Sequence, residues 1–322
     1  MAENKSTAPP SLPPGVGTAV TVGTFDGLHK GHLGILDKLL NEASAQKLSS
    51  LVVTFDPHPR QVLQPEFKMK VLLGTQAKVR LLAELGVDYV AVLKFDRTLS
   101  QVAPEKFVED YLVSRYGMKS LVVGYDHAFG KDRAGSEKVL GELATVYGYS
   151  LIKVPPVLMD GKPISSSWVR SALDAGDMQL TSRLLGRFFT ISGKVVEGAG
   201  RGKGLGHPTA NIEPEDVGAQ AIPEGIYAAV VALDGKLLRG ALHYGPRPTF
   251  NEKAPTLELN LFDFSGDLYG RRIEVSVIER IRPILRFKSA GDLTRQMDRD
   301  DQEVKKVFEK ISMPASTLSR AL

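Results

Sequence analysis

Val22-Gly23-Thr24-Phe25-Asp26-Gly27-Leu28-His29-Lys30-Gly31-His32 follows a short β-rich run, Ala19 to Val22. It leads into apolar residues at helical spacing, Leu33, Leu36, Leu39 and Leu40. The stretch reads as strand, glycine turn, helix start. His29 and His32, three apart on a first helical turn, share one face. Glycines let a backbone approach a ligand closely, and a helix N-terminus offers free N–H groups to an anion. Imidazoles add donors that are neutral or charged near pH 7. On this reading the stretch is a seat for a triphosphate. On the plainer one, two histidines beside a glycine turn are ordinary surface polar groups.

Working outward, apolar β-branched runs alternate with helical patterns. Ser50 to Phe55 is a strand ended by Asp56-Pro57-His58-Pro59, whose prolines shape a rigid loop. Thr75 to Leu85 is helical and closed by Gly86. Tyr89 to Leu93 is a third strand, and Pro104 opens a helix with Phe107, Val108, Tyr111 and Leu112 on one face. Ser120 to Val123 and Ser150 to Val154 are the fourth and fifth strands, with a helix from Ser136 to Tyr147 between them. This rhythm predicts an α/β domain with a doubly wound parallel sheet. Such sheets bind ligands at the carboxyl ends of their strands, where the histidines, the Asp56 loop and the Gly124 loop all fall. In the Gly124 loop, Asp126 and Arg133 are candidate site residues of unassigned role, and Phe129 reads as packing.

Ile164-Ser165-Ser166-Ser167-Trp168-Val169-Arg170 closes this half. The serines can simply cap the next helix. Alternatively, Ser166, Ser167 and Arg170, one turn in, bind phosphate together with the helix N–H groups. After a short helix over Asp177 to Leu185 the pattern turns to strands: Phe188 to Val196, Gly225 to Leu233, Leu238 to Tyr244, Thr256 to Phe264 and Arg272 to Glu279. Turns at Leu233–Lys236 and Phe264–Asp267 read as antiparallel hairpins. Five or six such strands predict a small closed antiparallel β-barrel. A terminal helix follows from Ser289 to Phe308, with Leu293, Met297, Val304 and Phe308 on one side. The expected layout is a disordered tail over residues 1–14, an α/β domain over 15–185 and an all-β domain over 186–322.

The second half carries Glu197-Gly198-Ala199-Gly200-Arg201-Gly202-Lys203-Gly204-Leu205-Gly206-His207-Pro208-Thr209-Ala210-Asn211. Its glycines and basic residues suit either a phosphate cradle or a surface loop. Thr209 and Asn211 offer neutral oxygens to a hard cation such as magnesium. Glu258 alternates with Leu257, Leu259 and Leu261, which puts it on the other face of its strand, ordinarily the solvent side.

The 322 residues, 43% hydrophobic and 24% charged, are ordinary for two globular domains that each bury a core. A formal net charge of +4 fits anionic small ligands and does not demand a nucleic acid. The absence of cysteine excludes disulfides, thiolate metal sites and cysteine nucleophiles. The opening residues have no apolar core of a secretory signal, and no run is long enough to span a membrane. The expectation is a cytoplasmic enzyme of small molecules, without nucleic-acid or membrane partners, monomeric or weakly self-associating.

The first motif resembles the nucleotidyltransferase family that adenylylates small molecules, in its flavin branch. Ile164–Arg170 resembles that family's second signature, with Ser167 where threonine is usual. Glu197–Asn211 resembles the glycine loop and Pro-Thr-Ala-Asn signature of riboflavin kinase. Tyr244–Phe250 resembles a loop usually written Asn-Ile-Gly-x-x-Pro-Thr-Phe, here with His243 and Tyr244 in place of Asn and Ile. Taken together, Ala19 to Phe308 resembles the bifunctional bacterial riboflavin kinase and FAD synthetase. The resemblance implies that ATP and magnesium serve two reactions, riboflavin to FMN and FMN to FAD. It implies His29 and His32 as catalytic groups of adenylyl transfer, with Gly23, Phe25, Asp26, Gly31, Ser166, Ser167 and Arg170 on ATP and its phosphates. For the kinase it implies Gly202, Lys203, Gly204 and Gly206 on ATP, Thr209 and Asn211 on the metal, and Glu258 as general base.

Overall fold

The computed structural model describes residues 12–13, 15–125, 135–198, 209–215, 220–250 and 252–311. The chain forms two compact units that divide between Ser165 and Ser166. The expected tail, save Leu12 and Pro13, lies outside the described residues.

The first unit holds five parallel strands: β1 (Thr18–Val22), β2 (Ser49–Asp56), β3 (Tyr89–Lys94), β4 (Met118–Gly124) and β5 (Ser150–Val154). Their order is β3-β2-β1-β4-β5, all neighbours parallel. The period-2 pleat sorts their side chains into two cores. Val20, Val22, Leu51, Val53, Leu121 and Val123 pack on one face with Phe107, Leu112 and Leu140. Ala19, Val52, Val90 and Val122 pack on the other with Leu36, Leu39, Val79 and Leu82. Helices therefore cover both faces, and each fully buried leucine contributes roughly 1.5–3 kcal/mol. The chain winds outward from β1 in one direction and, after β3, from β4 in the other. The carboxyl ends of β1 and β4 thus flank the topological switch point. A small hairpin, β6 (Leu158–Met159) with β7 (Lys162–Pro163), ends this unit.

In the second unit, helices Ser166–Asp174 and Met178–Leu185 precede a closed barrel. Its strands are β8 (Phe189–Val196), β9 (Ala210–Pro214), β10 (Gly225–Leu233), β11 (Lys236–Arg247), β12 (Glu252–Leu261) and β13 (Arg272–Arg282). They close in the order β10-β11-β12-β9-β8-β13. The sixth strand, β9, is the one the pattern does not single out: Ala-Asn-Ile-Glu-Pro is short and poor in strand formers. Asp234 and Gly235 have φ of 50° and 74°, as the tight hairpin between paired Leu233 and Lys236 requires. The Phe264–Asp267 turn is not a hairpin. β12 pairs with β11 and β9, and β13 with β10 and β8, so the segment after Leu261 crosses between non-neighbours. The terminal helix, Ala290–Lys310, is capped by Ser289 and buries Val304, Val307 and Phe308 against Ala228, Val230 and Ile278 of the barrel wall.

Candidate active sites

In the first unit, His29 is the N-cap of helix Lys30–Gln46, its Nδ1 accepting the His32 N–H at 3.3 Å. The two imidazoles stack with centroids 3.7 Å apart and planes 15° from parallel. Phe25 lies 5.1 Å from the His32 ring. Gly31 makes this possible: a Cβ there would sit 3.0 Å from His29 Nδ1, from its Cε1 and from the Ile164 carbonyl oxygen. A side chain at position 31 would therefore crowd the His29 ring. Gly27, at φ +84°, takes the left-handed turn that brings the chain to the helix start, and Leu72 packs against it.

Two carbonyl and carboxylate links hold the turn from behind. Asp26 is 1% exposed and its Oδ1 accepts the N–H groups of Leu72 and Leu73, at 2.9 and 3.2 Å. Its carboxylate thus ties the turn before helix Lys30–Gln46 to the Leu72–Leu73 segment. Phe25 is core, 2% exposed, and its ring lies against Gly23. Lys78, only 4% exposed, donates from Nζ to the Thr24 carbonyl at 2.7 Å and to Thr54 Oγ1 at 3.3 Å. Burial pushes this ammonium below its ordinary pKa, while Asp26 and Asp56 push it back up. No sequence motif marks Lys78 as a support of this turn. Its signal is its place one turn before Leu82, on the buried face of helix Thr75–Glu84.

Ser166, Ser167 and Arg170 lie on the first turns of helix Ser166–Asp174, which groups with the barrel unit. Asp126 and Arg133 fall outside the described residues, as does Phe129, and so do Gly202, Lys203, Gly204 and Gly206 of the glycine loop.

In the barrel unit, a cavity of about 150 Å³ opens between strand ends and the first turns of the terminal helix. Thr209, Asn211, His243, Arg247 and Glu258 line its polar side, and Ile226, Ile284, Leu285, Phe287, Leu293 and Met297 its apolar side. The apolar stripe of the terminal helix is thus divided. Leu293 and Met297 face the cavity, while Val304 and Phe308 face the barrel wall. Glu258 is not on a solvent face. Leu257, Leu259 and Leu261 are buried, and Glu258 turns into the cavity with its side chain 14% exposed. The register sets Glu258 beside His243 of β11 and Asn211 of β9.

Glu258 Oε1 accepts from Arg247 Nε, and from Thr256 Oγ1 at 3.0 Å. Oε2 faces the Thr209 hydroxyl at 3.4 Å. Arg247 Nη2 also donates to Asn211 Oδ1 at 3.0 Å. His243 Nδ1 stands 3.9 Å from Glu258 Oε1. Burial holds this imidazole below its ordinary pKa. Glu258 and the Pro246 carbonyl raise it, and Arg247 and Arg282 lower it. At the far wall, Arg282 grips the buried Asp300 through Nε and Nη2, at 2.8 and 2.6 Å, which fixes the terminal helix beside the cavity. Among the described residues no group of three or more His, Cys, Asp or Glu could hold a metal ion. A magnesium ion needs no such cage when phosphates and water supply most of its ligands.

The arrangement in each unit suits group transfer from a nucleotide: a helix N-terminus with paired imidazoles in one, a cavity with a carboxylate beside neutral oxygens in the other. Comparison with known proteins agrees. A family model for FAD synthetase matches residues 14–168, and one for riboflavin kinase matches residues 185–308. The bifunctional riboflavin kinase/FMN adenylyltransferase of Escherichia coli K12 is 36% identical over 300 residues, covering 92% of this chain and 95% of that protein. Those of Haemophilus influenzae and Bacillus subtilis are 35% and 32% identical, covering 91% of this chain and 94% and 93% of theirs. A crystal structure described as a macrolide-efflux protein from Streptococcus pneumoniae superposes with a TM-score of 0.78 at 29% identity, over 91% of this chain and 95% of that one. Among the described residues no helix is long and apolar enough to cross a membrane. The chain belongs to the family of bifunctional riboflavin kinase/FMN adenylyltransferases.

Proposed function

We infer that the chain makes both flavin cofactors, phosphorylating riboflavin with ATP to FMN in the barrel unit and adenylylating FMN with a second ATP to FAD at the His29–His32 motif. The observation that carries this is the division of the matches, FAD synthetase on the first half and riboflavin kinase on the second, in one chain that aligns with bifunctional relatives almost end to end. The functional division is taken at Leu185–Gly186, with small molecules as partners, a cytoplasmic location and a monomeric or weakly associating state.

For adenylyl transfer the FMN phosphate is already a nucleophile and needs no base. The site has to hold it in line with the ATP α-phosphorus while charge builds on the transferring group and on pyrophosphate. His29 and His32 present ring nitrogens on one side of a helix N-terminus, which suits that charge. On the resemblance, Ser166, Ser167 and Arg170 are phosphate contacts of adenylyl transfer, and Asp126 and Arg133 are residues of that transfer with unassigned role. For the kinase, Glu258 takes the proton of the riboflavin ribityl hydroxyl as its oxygen attacks the γ-phosphorus, ADP leaving. Gly202, Lys203, Gly204 and Gly206 cradle the ATP phosphates. Thr209 and Asn211 fit a magnesium ion through neutral oxygens at the cavity edge beside Glu258. When bound, that ion supplies charge neutralisation of the phosphates. The apolar wall of Ile284, Leu285, Phe287, Leu293 and Met297 suits a flat aromatic ring system.

The test is to give the purified chain ATP and magnesium with either riboflavin or FMN. FMN from the first and FAD from the second are expected. Failure with riboflavin alone removes the kinase half of the reading, and failure with FMN alone the adenylyl half.

A further inference from the structure

Arg247 lies where β11 leaves its register with β12: Gly245 pairs with Thr256, but Arg247 pairs with Glu252. Such a bulge re-aims a side chain. Here it sends the guanidinium back toward Glu258, and Arg247 is 16% exposed. Its Nε meets the carboxylate of Glu258 and its Nη2 the carboxamide of Asn211, two acceptors on neighbouring strands. Resting on the kinase reading above, we propose that Arg247 is the positioning residue of the phosphoryl-transfer site: one guanidinium sets the proton-accepting carboxylate and the cation-binding carboxamide relative to each other.

Three observations carry this. First, a guanidinium only donates, so it dictates which end of the Asn211 amide is oxygen. The nitrogen end lies against the backbone of Gly198, where a Cβ would fall 1.9 Å from Asn211 Nδ2. Asn211 is therefore clamped from two sides, with Oδ1 turned toward the Arg247 guanidinium. Second, Arg247 and Thr256 both donate to Glu258 Oε1, while Oε2 meets only the Thr209 hydroxyl among the described residues, at 3.4 Å. Arg247 thereby selects Oε2 as the atom that takes the proton. Third, bridging two acceptors requires the planar fork of arginine. A lysine ammonium keeps the charge but reaches as a single point.

Arg247→Lys and Arg247→Gln, made in the full chain, test the proposal. Kinase turnover is measured with riboflavin across a magnesium titration, and FAD formation from supplied FMN serves as the control. In Arg247→Lys, kcat for FMN formation falls about 10²-fold, as expected when reacting groups are misplaced by about an ångström. The magnesium concentration for half-maximal rate rises, KM for riboflavin changes little, and FAD formation is unchanged. At saturating magnesium, in a Glu258→Gln background, Arg247→Lys changes the residual rate about twofold or less, because the part of the loss that runs through the carboxylate is already gone. Parent kcat and magnesium requirement in Arg247→Lys would overturn the proposal. So would fully additive losses in the double variant, or a loss explained by a lowered melting temperature with both activities falling together. A parent chain that makes no FMN would overturn the kinase reading and the proposal with it. A parent that makes FMN at the same rate as Arg247→Lys would overturn the proposal alone.

Discussion

The imidazole of His29 lies over that of His32 and also accepts the His32 backbone N–H, so one side chain both caps the helix and builds the face of the site. The two tasks separate by substitution. His29→Ala removes the cap, at a cost of about 1 kcal/mol, and removes the ring. His29→Asn restores a good cap without the ring. Thermal unfolding of the Asn variant is expected near that of the parent, while FAD formation from FMN stays as low as in the Ala variant. Turnover of the Asn variant at the parent rate would show that His29 is only a cap.

Gly31 is fixed by the same geometry. An added Cβ would meet His29 and the Ile164 carbonyl at 3.0 Å, closer than most real Cβ contacts, and a backbone carbonyl yields little. Gly31→Ala is expected to displace the His29 ring and slow FAD formation by roughly 10²-fold. FMN formation from riboflavin should remain at the parent rate. Steady-state rates of the two reactions on one preparation decide this.

His243 is expected to make the barrel unit sensitive to acid. Its folded pKa lies below the ordinary 6.5, chiefly through burial. Between the folded and unfolded values the unfolded chain binds more protons, so stability rises with pH across that interval. The stability is whole above about 6.5 and is lost as pH falls toward the folded value. His243→Asn, which places the residue usual in the resembled loop, removes this dependence. Its melting temperature should fall less steeply than the parent's below pH 6.5, with the two curves parallel above it. Parallel curves throughout would contradict the assignment.

Much of the fold is written in local patterns. The alternation of strands and helices, the period-2 cores and the Asp234-Gly235 turn all follow from neighbouring residues. What escapes the pattern depends on partners distant in the chain. Strand β9 is held by β8 and β12 rather than by its own propensity. The Phe264–Asp267 turn has hairpin chemistry, yet barrel closure sends its two strands to different neighbours. Glycine and histidine spacing points to His29, Gly31 and His32 because they meet within one helical turn. Glu258 alternates like a solvent-facing residue, and only the cavity formed with the terminal helix gives that face a different meaning. Lys78 and Arg247 do their work on groups 54 and 36 residues away, to Thr24 and Asn211, which no local pattern records.

Two separable transfers on one chain are resolved by a chromatographic time course with riboflavin, ATP and magnesium. The parent should form FMN first and FAD after it. The His29→Ala, His32→Ala double variant should stop at FMN. Glu258→Ala should form no more than a 10²- to 10⁴-fold reduced amount of FMN, yet convert supplied FMN to FAD at the parent rate. FAD made from FMN by the double variant at the parent rate, or undiminished FMN formation by Glu258→Ala, would contradict the account.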